Sequence, residues 1–246
     1  MKLTVLGNRS PFPTKDGGCS SYLLQDGGQN ILIDVGPGTL ERLNKVIPYH
    51  KITAIIISHL HEDHFLDLLP LHYAIMLDIK RGKRKEALAV YLPFDEGREL
   101  DYLRSKVKEE YYLNQIDENT KLNFGDLNFS FKRSNHPKEC YAMKALKEDK
   151  SLSYTADTGW DEGLIGFVRE SDLLIAEASL LERDKDKRKM GHMTVKDSIN
   201  FAKKAKVNKL LLSHLGSYYK KSDIDKEIEN GEVDVELANI NGVYNI

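Results

Sequence analysis

Short apolar runs recur along the chain and are separated by polar or helical stretches. This alternation is typical of strands and helices arranged around sheets. The number of runs favours two sheets over one. The strands predicted from these runs are Lys2–Leu6, Ser21–Gln25, Ile31–Val35, Ala54–Ser58, Ala89–Leu92, Asn128–Lys132, Tyr141–Ala145, Leu152–Ala156, Asp172–Ala176, Lys209–Ser213 and Gly242–Ile246.

Two helices carry clear local signals. Pro70 suits the first position of a helix, and Leu71, Ile75 and Ile79 then repeat every four residues as one buried stripe. A second helix begins after Thr194, because Thr194 and Asp197 can form a capping box. In that helix Val195, Ile199, Ala202 and Ala205 are predicted to face inward, and Lys196, Lys203, Lys204 and Lys206 to face water.

One internal similarity bears on the architecture. Ile52–Leu60 resembles Val207–Leu215, since each is an apolar strand that ends in Ser-His-Leu. Two such strand ends would bring His59 and His214 to one edge of two pseudo-symmetric halves. A chance match is the alternative, because all buried strands are apolar runs and only the Ser-His-Leu end is specific.

Composition favours one domain over residues 1–246. The chain has 246 residues, is 41% hydrophobic, and contains no low-complexity tract that would divide it. Its net charge of -2 gives no overall positive field to attract nucleic acid or an anionic membrane, although a local basic patch stays open.

The chain also has no pattern typical of export or membrane insertion. Met1–Gly7 is too short an apolar run for a signal peptide, and no run approaches the roughly 18 apolar residues of a membrane span. Cys19 and Cys140 are too few for a disulfide framework. We therefore expect a cytoplasmic protein with no membrane partner.

The stretch from His59 to His64 concentrates metal-binding side chains. In an extended chain His59, His61 and Asp63 point the same way, and a turn after Asp63 brings His64 beside them. A single histidine at a strand end is usually structural. Burying this whole group without an ion would cost roughly 1–3 kcal/mol for each unpaired polar group. Imidazole with carboxylate suits zinc first, with manganese or iron as substitutes.

The pattern HxHxDH after an apolar strand resembles the metallo-β-lactamase superfamily. Further motifs of that superfamily follow in the expected order over nearly the whole chain. They are Ile33–Gly36 with the sequence Ile-Asp-Val-Gly, His136 in Ser-Asn-His-Pro, Asp157 in Tyr-Thr-Ala-Asp-Thr-Gly, and His214 in Ser-His-Leu.

The resemblance implies an α/β fold, a four-layered αβ/βα sandwich with the site at one edge between two sheets. It also implies that Asp34 supports the histidine loop, His59–His64, without binding metal. The cofactors would be two divalent metal ions. One ion would be held by His59, His61 and His136, the other by Asp63, His64 and His214, and Asp157 would bridge them.

Such a site suits phosphodiester hydrolysis. Two cations about 3.5–4 Å apart lower the pKa of a shared water and neutralise charge on phosphoryl oxygens. Asp63 is a catalytic candidate as well as a ligand, because its carboxylate could orient that water or take its proton. His192 is the second catalytic candidate. Its setting in Gly191–Thr194 resembles the histidine of tRNase Z-like and related phosphodiesterase branches, where it lies near the leaving group or the scissile phosphate.

The tRNA-clamping arm of the usual bacterial tRNase Z is missing. In that branch the arm is inserted between the third metal histidine and the bridging aspartate, whereas His136 and Asp157 are separated here by a short stretch with a charged turn, Lys147–Lys150. Basic segments occur at Lys80–Lys85 and Arg183–Lys189. The second segment leads into the His192 loop and could present cations to a phosphorylated substrate, although a solvated loop is the commoner explanation for it.

The preferred function is a compact phosphodiesterase acting on a cyclic nucleotide or a short nucleic-acid end. Its partner would be a small phosphodiester or nucleotide, with larger nucleic acid less favoured, and resemblance predicts a homodimer. Three alternatives stay open: a tRNA 3′-processing endoribonuclease, a thioester or lactone hydrolase, and a non-catalytic metal-stabilised binding module. Di-iron redox members usually resemble HxExD, and His61 at the corresponding position argues against that branch.

Overall fold

A computed structural model describes residues 1–95, 97–107, 109–228 and 233–246 of the chain. The strands within these ranges, in chain order, are β1 (Lys2–Ser10), β2 (Gly18–Cys19), β3 (Ser21–Asp26), β4 (Gln29–Ile33), β5 (Ala54–Ile56), β6 (Leu88–Leu92), β7 (Tyr111–Gln115), β8 (Lys121–Phe124), β9 (Leu127–Arg133), β10 (Tyr141–Lys147), β11 (Lys150–Tyr154), β12 (Leu173–Glu177), β13 (Lys209–Ser213), β14 (Leu215–Gly216), β15 (Asp234–Leu237) and β16 (Val243–Asn245).

These strands form two mixed sheets in the part of the chain that the structure describes. Sheet one has the order β14-β1-β3-β4-β5-β6-β7, with β2 and β16 also paired to β1, and sheet two has the order β15-β13-β12-β11-β10-β9-β8. Strands β4, β5 and β6 are parallel, as are β11, β12 and β13. β1 is antiparallel to β3, which is antiparallel to β4. The carboxyl ends of β1, β4 and β5 therefore lie at one edge of sheet one.

Helices cover the outer face of each sheet. The apolar stripes of three helices between residues 39 and 106 pack on sheet one, and those of three helices between residues 162 and 225 pack on sheet two. Short 3-10 helices occur at Tyr49–Lys51 and Glu182–Met190. The helices are α1 (Thr39–Val46), α2 (Glu62–Phe65), α3 (Leu68–Lys80), α4 (Arg98–Lys106), α5 (Glu162–Phe167), α6 (Val195–Ala205) and α7 (Lys221–Asp225).

The core has three layers because central strands are buried on both faces. On β5, Ile56 packs between the two sheets while its neighbour Ile55 packs under the helices of sheet one. On β13, Leu211 faces the space between the sheets and Leu212 faces the helices of sheet two. Successive side chains on a strand point to opposite faces, so such strands read as continuous apolar runs. The predicted four-layered αβ/βα sandwich is confirmed.

All eleven predicted strands overlap an observed strand, but several observed strands were not predicted. Apart from the two-residue β2 and β14, the missed strands are β7, β8 and β15, and each lies at an edge of its sheet. Edge strands are half exposed and polar, and β8 alternates exposed and half-buried residues without one buried side chain. Their sequences therefore lack the apolar run that marks a central strand.

Both predicted helices are present. The helix predicted from Pro70 begins two residues earlier, at Leu68, and so places Pro70 within the first turn, where its missing N–H is still tolerated. Helix α6 begins with the predicted capping box between Thr194 and Asp197. Within the described ranges, no helix has the length and apolar composition needed to cross a bilayer.

Candidate metal centre

The predicted ligands lie in segments that follow strands at one edge of the sandwich. His59 follows β5, Asp157 follows β11, and His214 directly follows β13. His214 has a left-handed backbone, with φ of 52°, and so does Asp34 after β4, with φ of 53°. Left-handed residues other than glycine are uncommon and strained, and they concentrate at functional sites. These turns direct side chains from the strand ends toward the gap between the sheets.

One group of ligand atoms comes from His59, His61 and His136. The distance from His59 Nε2 to His61 Nδ1 is 3.0 Å, and that from His136 Nε2 to His61 Nδ1 is 3.2 Å. Asp157 Oδ2 lies 3.6 Å from His59 Nε2. These four side chains each place a ligand atom within 4.8 Å of the others. His61 presents Nδ1 while its two partners present Nε2, a distinction that the sequence does not contain.

A second group comes from Asp63, His64 and His214. His64 Nε2 lies 3.1 Å from His214 Nε2, and Asp63 Oδ2 lies 3.3 Å from His214 Nε2. The other oxygen of Asp157, Oδ1, lies 3.3 Å from His64 Nε2 and 3.2 Å from His214 Nε2. Asp157 therefore directs one carboxylate oxygen to each group.

The residues present fit a pair of divalent cations. Two ligand nitrogens about 2.0–2.1 Å from one tetrahedral zinc ion are roughly 3.3 Å apart, close to the nitrogen separations in both groups. Asp157 Oδ1 is buried and has no hydrogen-bond donor among the described residues. An unpaired buried carboxylate oxygen is costly, and a cation at this position would satisfy it.

The electrostatics agree with this fit. Burial lowers the pKa of His59, His61 and His136, so these imidazoles are neutral, as metal ligands must be. Burial also opposes a charge on His64, but the carboxylates of Asp157, Asp63 and Asp34 outweigh it and hold its pKa well above the ordinary value. The three carboxylates that raise the pKa of His64 would equally favour a bound cation.

Asp34 orients the histidine loop from behind. Its carboxylate accepts hydrogen bonds from the Ser58 N–H, the Ser58 hydroxyl and the Tyr154 hydroxyl, at 2.7, 2.9 and 2.9 Å. His64 Nδ1–H donates to the same carboxylate at 2.8 Å, and His59 Nδ1–H donates to Ser58 Oγ at 3.1 Å. The ring nitrogens that face the metal groups are thereby fixed, as the resemblance implied for Asp34.

The conformation of the histidine loop differs from the extended chain expected for it. His61 is the last extended residue, and α2 begins at Glu62, so Asp63 and His64 lie in a helical turn. Successive residues of a helix point about 100° apart. This turn separates the pair His59 and His61 from the pair Asp63 and His64, which explains why one short motif supplies ligand atoms to two groups.

His192 lies beside the second group. One of its ring nitrogens lies within 4.8 Å of ligand atoms of Asp157 and His214, and its Nδ1–H donates to Glu177 Oε1 at 2.9 Å. Burial opposes a charge on His192, but the carboxylate of Glu177 outweighs burial and raises the pKa of His192 to about 9. The hydrogen bond through Nδ1 leaves Nε2 for another partner.

Glu177 and Ser179 belong to the site and were not predicted. Besides His192, the fully buried Glu177 accepts hydrogen bonds from the N–H and hydroxyl of Ser179 and from the Thr158 N–H. His214 Nδ1–H donates to Ser179 Oγ at 2.7 Å. One signal was available, because Glu177 is the single charged residue in the otherwise apolar run Leu-Leu-Ile-Ala-Glu.

The two remaining histidines of the chain lie elsewhere. His50 belongs to the 3-10 helix Tyr49–Lys51, and His72 is buried in α3, where its Nδ1–H donates to the carbonyl oxygen of Leu69. Neither is in a group of metal-binding side chains among the described residues.

Comparison with known proteins places the chain in a family. The beta-lactamase superfamily domain matches residues 29–215. The probable metallo-hydrolase YhfI of Bacillus subtilis (strain 168) is 32% identical over 238 residues, covering 96% of this chain and 96% of that protein. The chain belongs to the beta-lactamase superfamily. The crystal structure of YhfI, a metallo-beta-lactamase fold protein, matches this superfamily member with a TM-score of 0.91 at 30% identity, over 99% of this chain and 98% of that one.

Two further relatives extend this result. Ribonuclease Z of Thermococcus sibiricus is 30% identical over 282 residues, covering 92% of this chain and 90% of that protein. A diphosphatase from the PhnP family has a TM-score of 0.81 at 20% identity, over 99% of this chain and 96% of that one. At 20% identity, the match to the diphosphatase shows only that the two proteins share a fold. The superfamily resemblance predicted from the HxHxDH pattern is confirmed.

This superfamily member has no arm between His136 and Asp157. The whole of that stretch is described, and it contains a loop followed by the hairpin of β10 and β11, whose last pair joins Lys147 to Lys150. This short hairpin agrees with the absence of the arm, which the short spacing between His136 and Asp157 indicates.

The basic segment Arg183–Lys189 is largely neutralised. Arg188 binds the carboxylates of Asp197 and Glu182, and Lys187 binds Asp184 at 2.8 Å. Each of these cations therefore already has a carboxylate partner at the protein surface. The surface interpretation of this segment is therefore favoured.

Proposed function

We propose that this chain is a two-metal phosphodiesterase acting on a small phosphodiester or nucleotide, with zinc as the favoured ion. The position of His192 carries the proposal. An imidazole held by a buried carboxylate lies beside, but outside, the two groups of proposed ligands. The proposed ligands are His59, His61 and His136 for one ion, Asp63, His64 and His214 for the other, and Asp157 between them.

The chemistry follows from this arrangement. Two bound divalent ions would supply a water of lowered pKa and neutralise the phosphoryl oxygens. Asp63, at 7% exposed, is the least buried member of its group, and its carboxylate would orient a reacting water or take its proton. His192 would donate a proton to the departing oxygen, or neutralise the phosphate, through the ring nitrogen that Glu177 leaves free. Glu177 is then a positioning residue.

The size of the substrate is inferred from what surrounds the site. The stretch from His136 to Asp157 offers a hairpin in place of an arm, and the net charge is -2. Binding of a structured RNA relies on several cationic contacts to phosphates. A cyclic nucleotide or a short nucleic-acid end needs fewer such contacts.

A tRNA 3′-processing endoribonuclease is the second candidate. The relation to ribonuclease Z, at 30% identity over 92% of the chain, favours it. The same catalytic groups would serve both reactions. The two proposals differ only in how the substrate is held, so substrate preference decides between them.

The test is a substrate panel on protein loaded with zinc or manganese. It compares cyclic nucleotides, a pre-tRNA and uncharged esters, with His192→Ala and Asp63→Ala as variants. His50→Ala, a histidine remote from the site, is the matched control. We expect diester cleavage to be preferred and to fall about 10²–10⁴-fold in each variant, with the control unchanged.

Each alternative has its own outcome in this panel. Cleavage of the pre-tRNA at a single position would favour the endoribonuclease. Ester turnover that exceeds diester turnover and survives His192→Ala would favour a thioester or lactone hydrolase. No turnover with two ions bound would favour a non-catalytic module.

Three further features stay predictions. We propose a single domain over residues 1–246, because one apolar core joins the facing sides of both sheets. A homodimer would appear as a doubled mass in light scattering. A cytoplasmic location agrees with Cys19 and Cys140 both being free and buried, because a reducing compartment keeps thiols unpaired.

A further inference from the structure

Two exposed aromatic side chains meet at the edge of the sandwich that carries the candidate metal centre. Phe12 follows the carboxyl end of β1, which lies at the same edge as the carboxyl ends of β4 and β5. Tyr218 lies four residues after His214, and β14 between them runs parallel to the end of β1. Sheet topology therefore places both rings on the side of the molecule where the ligands converge.

The two rings contact each other, are exposed to solvent, and lie on loops that are joined by hydrogen bonds. Their centroids are 5.2 Å apart with planes at 82°, an edge-to-face contact, and Phe12 is 40% and Tyr218 82% exposed. Ser217 fixes the two loops together, since its hydroxyl donates to the Phe12 carbonyl at 2.6 Å and its N–H donates to the Ser10 carbonyl at 2.8 Å. One ring of an edge-to-face pair meets its partner through its edge and keeps both faces open to a third ring.

The loop that carries Tyr218 packs directly against the catalytic side of the site. A methyl group at Gly216 would lie only 2.6 Å from the carbonyl oxygen of Ser179. Ser179 Oγ in turn lies 3.4 Å from His192 Nδ1 and 2.7 Å from His214 Nδ1. Tyr218 is two residues beyond Gly216, at most about 7 Å along the chain. The loop that carries the aromatic pair therefore packs against Ser179, which contacts both His192 and His214.

We propose that Phe12 and Tyr218 form a stacking site for the nucleobase of the substrate. The proposal rests on the proposed function and specifies its substrate class as a nucleotide or a nucleotide end. An exposed aromatic ring binds any base through its π-face, and one stacked base tightens binding roughly 5- to 150-fold. A diester whose phosphate lies at the metal centre would place its base on this pair.

Binding measurements separate the base from the phosphate. Calorimetric titration of zinc-loaded protein with AMP and with ribose 5-phosphate gives the ratio of the two dissociation constants, which isolates the contribution of the base. We expect AMP to bind roughly tenfold more tightly. In the double variant Phe12→Ala/Tyr218→Ala the ratio should fall close to one, with the affinity for ribose 5-phosphate unchanged within about twofold.

Three controls accompany the double variant. Phe12→Tyr and Tyr218→Phe keep both rings and should keep the ratio. Tyr112→Ala removes a tyrosine that is 69% exposed on β7 and should also keep the ratio. β7 and β14 are the two outermost strands of sheet one, so Tyr112 is remote from the aromatic pair. A wild-type ratio near one, or a ratio that survives the double variant, would overturn the proposal.

The same protein samples distinguish this inference from the proposed function. Suppose that diesters are not cleaved, but AMP binds more tightly than ribose 5-phosphate and the double variant loses this difference. The stacking site is then supported and the proposed reaction is wrong. If bis(p-nitrophenyl) phosphate is cleaved but AMP and ribose 5-phosphate bind equally tightly, the proposed reaction is supported and the stacking site is wrong. Repeating the titration with a base-containing RNA trinucleotide shows whether the site takes a free nucleotide or an RNA end, and either result supports it.

Discussion

Asp34 and Glu177 are two fully buried carboxylates at the carboxyl ends of parallel strands, one in each sheet. Each accepts four hydrogen bonds, and each holds one histidine directly and a second through a serine hydroxyl. Asp34 binds His64 directly and His59 through Ser58. On the other side of the site, Glu177 binds His192 directly, and Ser179 connects it to His214.

The difference lies in what the directly bound histidines do. The His64 side chain is completely buried within the second ligand group, whereas the side chain of His192 is 19% exposed beside that group. The same arrangement of a buried carboxylate and a serine hydroxyl thus occurs in both sheets. It orients two proposed ligands in sheet one, and one proposed ligand and one proposed proton donor in sheet two. Loss of Asp34 should therefore act mainly on metal binding and stability, and loss of Glu177 mainly on turnover.

The largest effect is expected for Asp34→Ala. It leaves the Ser58 N–H, the Tyr154 hydroxyl and the His64 ring without their acceptor in a buried site, so we expect at least about 3 kcal/mol lower free energy of unfolding. Metal affinity should fall about 10–100-fold because two ligands lose their orientation. Urea unfolding of metal-free protein and competition with a chelating dye measure these quantities. Asp101→Ala, which removes an exposed aspartate of α4, should change neither.

Glu177→Gln should lower kcat for diesters about 10–100-fold at saturating zinc. The carboxamide keeps the shape of the side chain but loses the negative charge that orients His192 and favours its protonated form. Two ions per chain should still be bound, and KM should stay within about twofold. Combining Glu177→Gln with His192→Ala should cost no more than His192→Ala alone, because both changes remove one function. An additive loss would contradict the assignment of Glu177 as a positioning residue.

The smallest effect is expected for Tyr154→Phe. This change removes a single hydrogen bond to Asp34 and keeps the buried ring, so we expect about 1.5–2 kcal/mol lower free energy of unfolding and activity within about threefold. Tyr22→Phe is the matched comparison. The Tyr22 hydroxyl bonds the neutral Ser213 hydroxyl at 2.6 Å, and its ring contacts Tyr154 at a centroid distance of 5.1 Å. Its loss should cost less, about 1 kcal/mol. Equal losses in the two variants would indicate that the charge on Asp34 adds nothing.

The sequence determined the features that local patterns encode. The apolar runs located the central strands, and the box between Thr194 and Asp197 located the start of α6. The HxHxDH motif supplied four proposed ligands at once. These signals are readable because periodicity, capping and dense clusters of ligand-type residues act within a few positions. Even the error at Pro70, where the helix begins at Leu68, is a shift within one turn.

The tertiary structure decided how distant residues meet. His64 Nε2 and His214 Nε2 are 3.1 Å apart although 150 positions separate them in sequence, and only the packing of two sheets brings them together. The choice of Nδ1 in His61, the role of Glu177 behind His192, and the aromatic pair of Phe12 and Tyr218 depend on the same packing. Contacts of this kind are set by loop closure and sheet topology over the whole chain, and no local pattern carries that information.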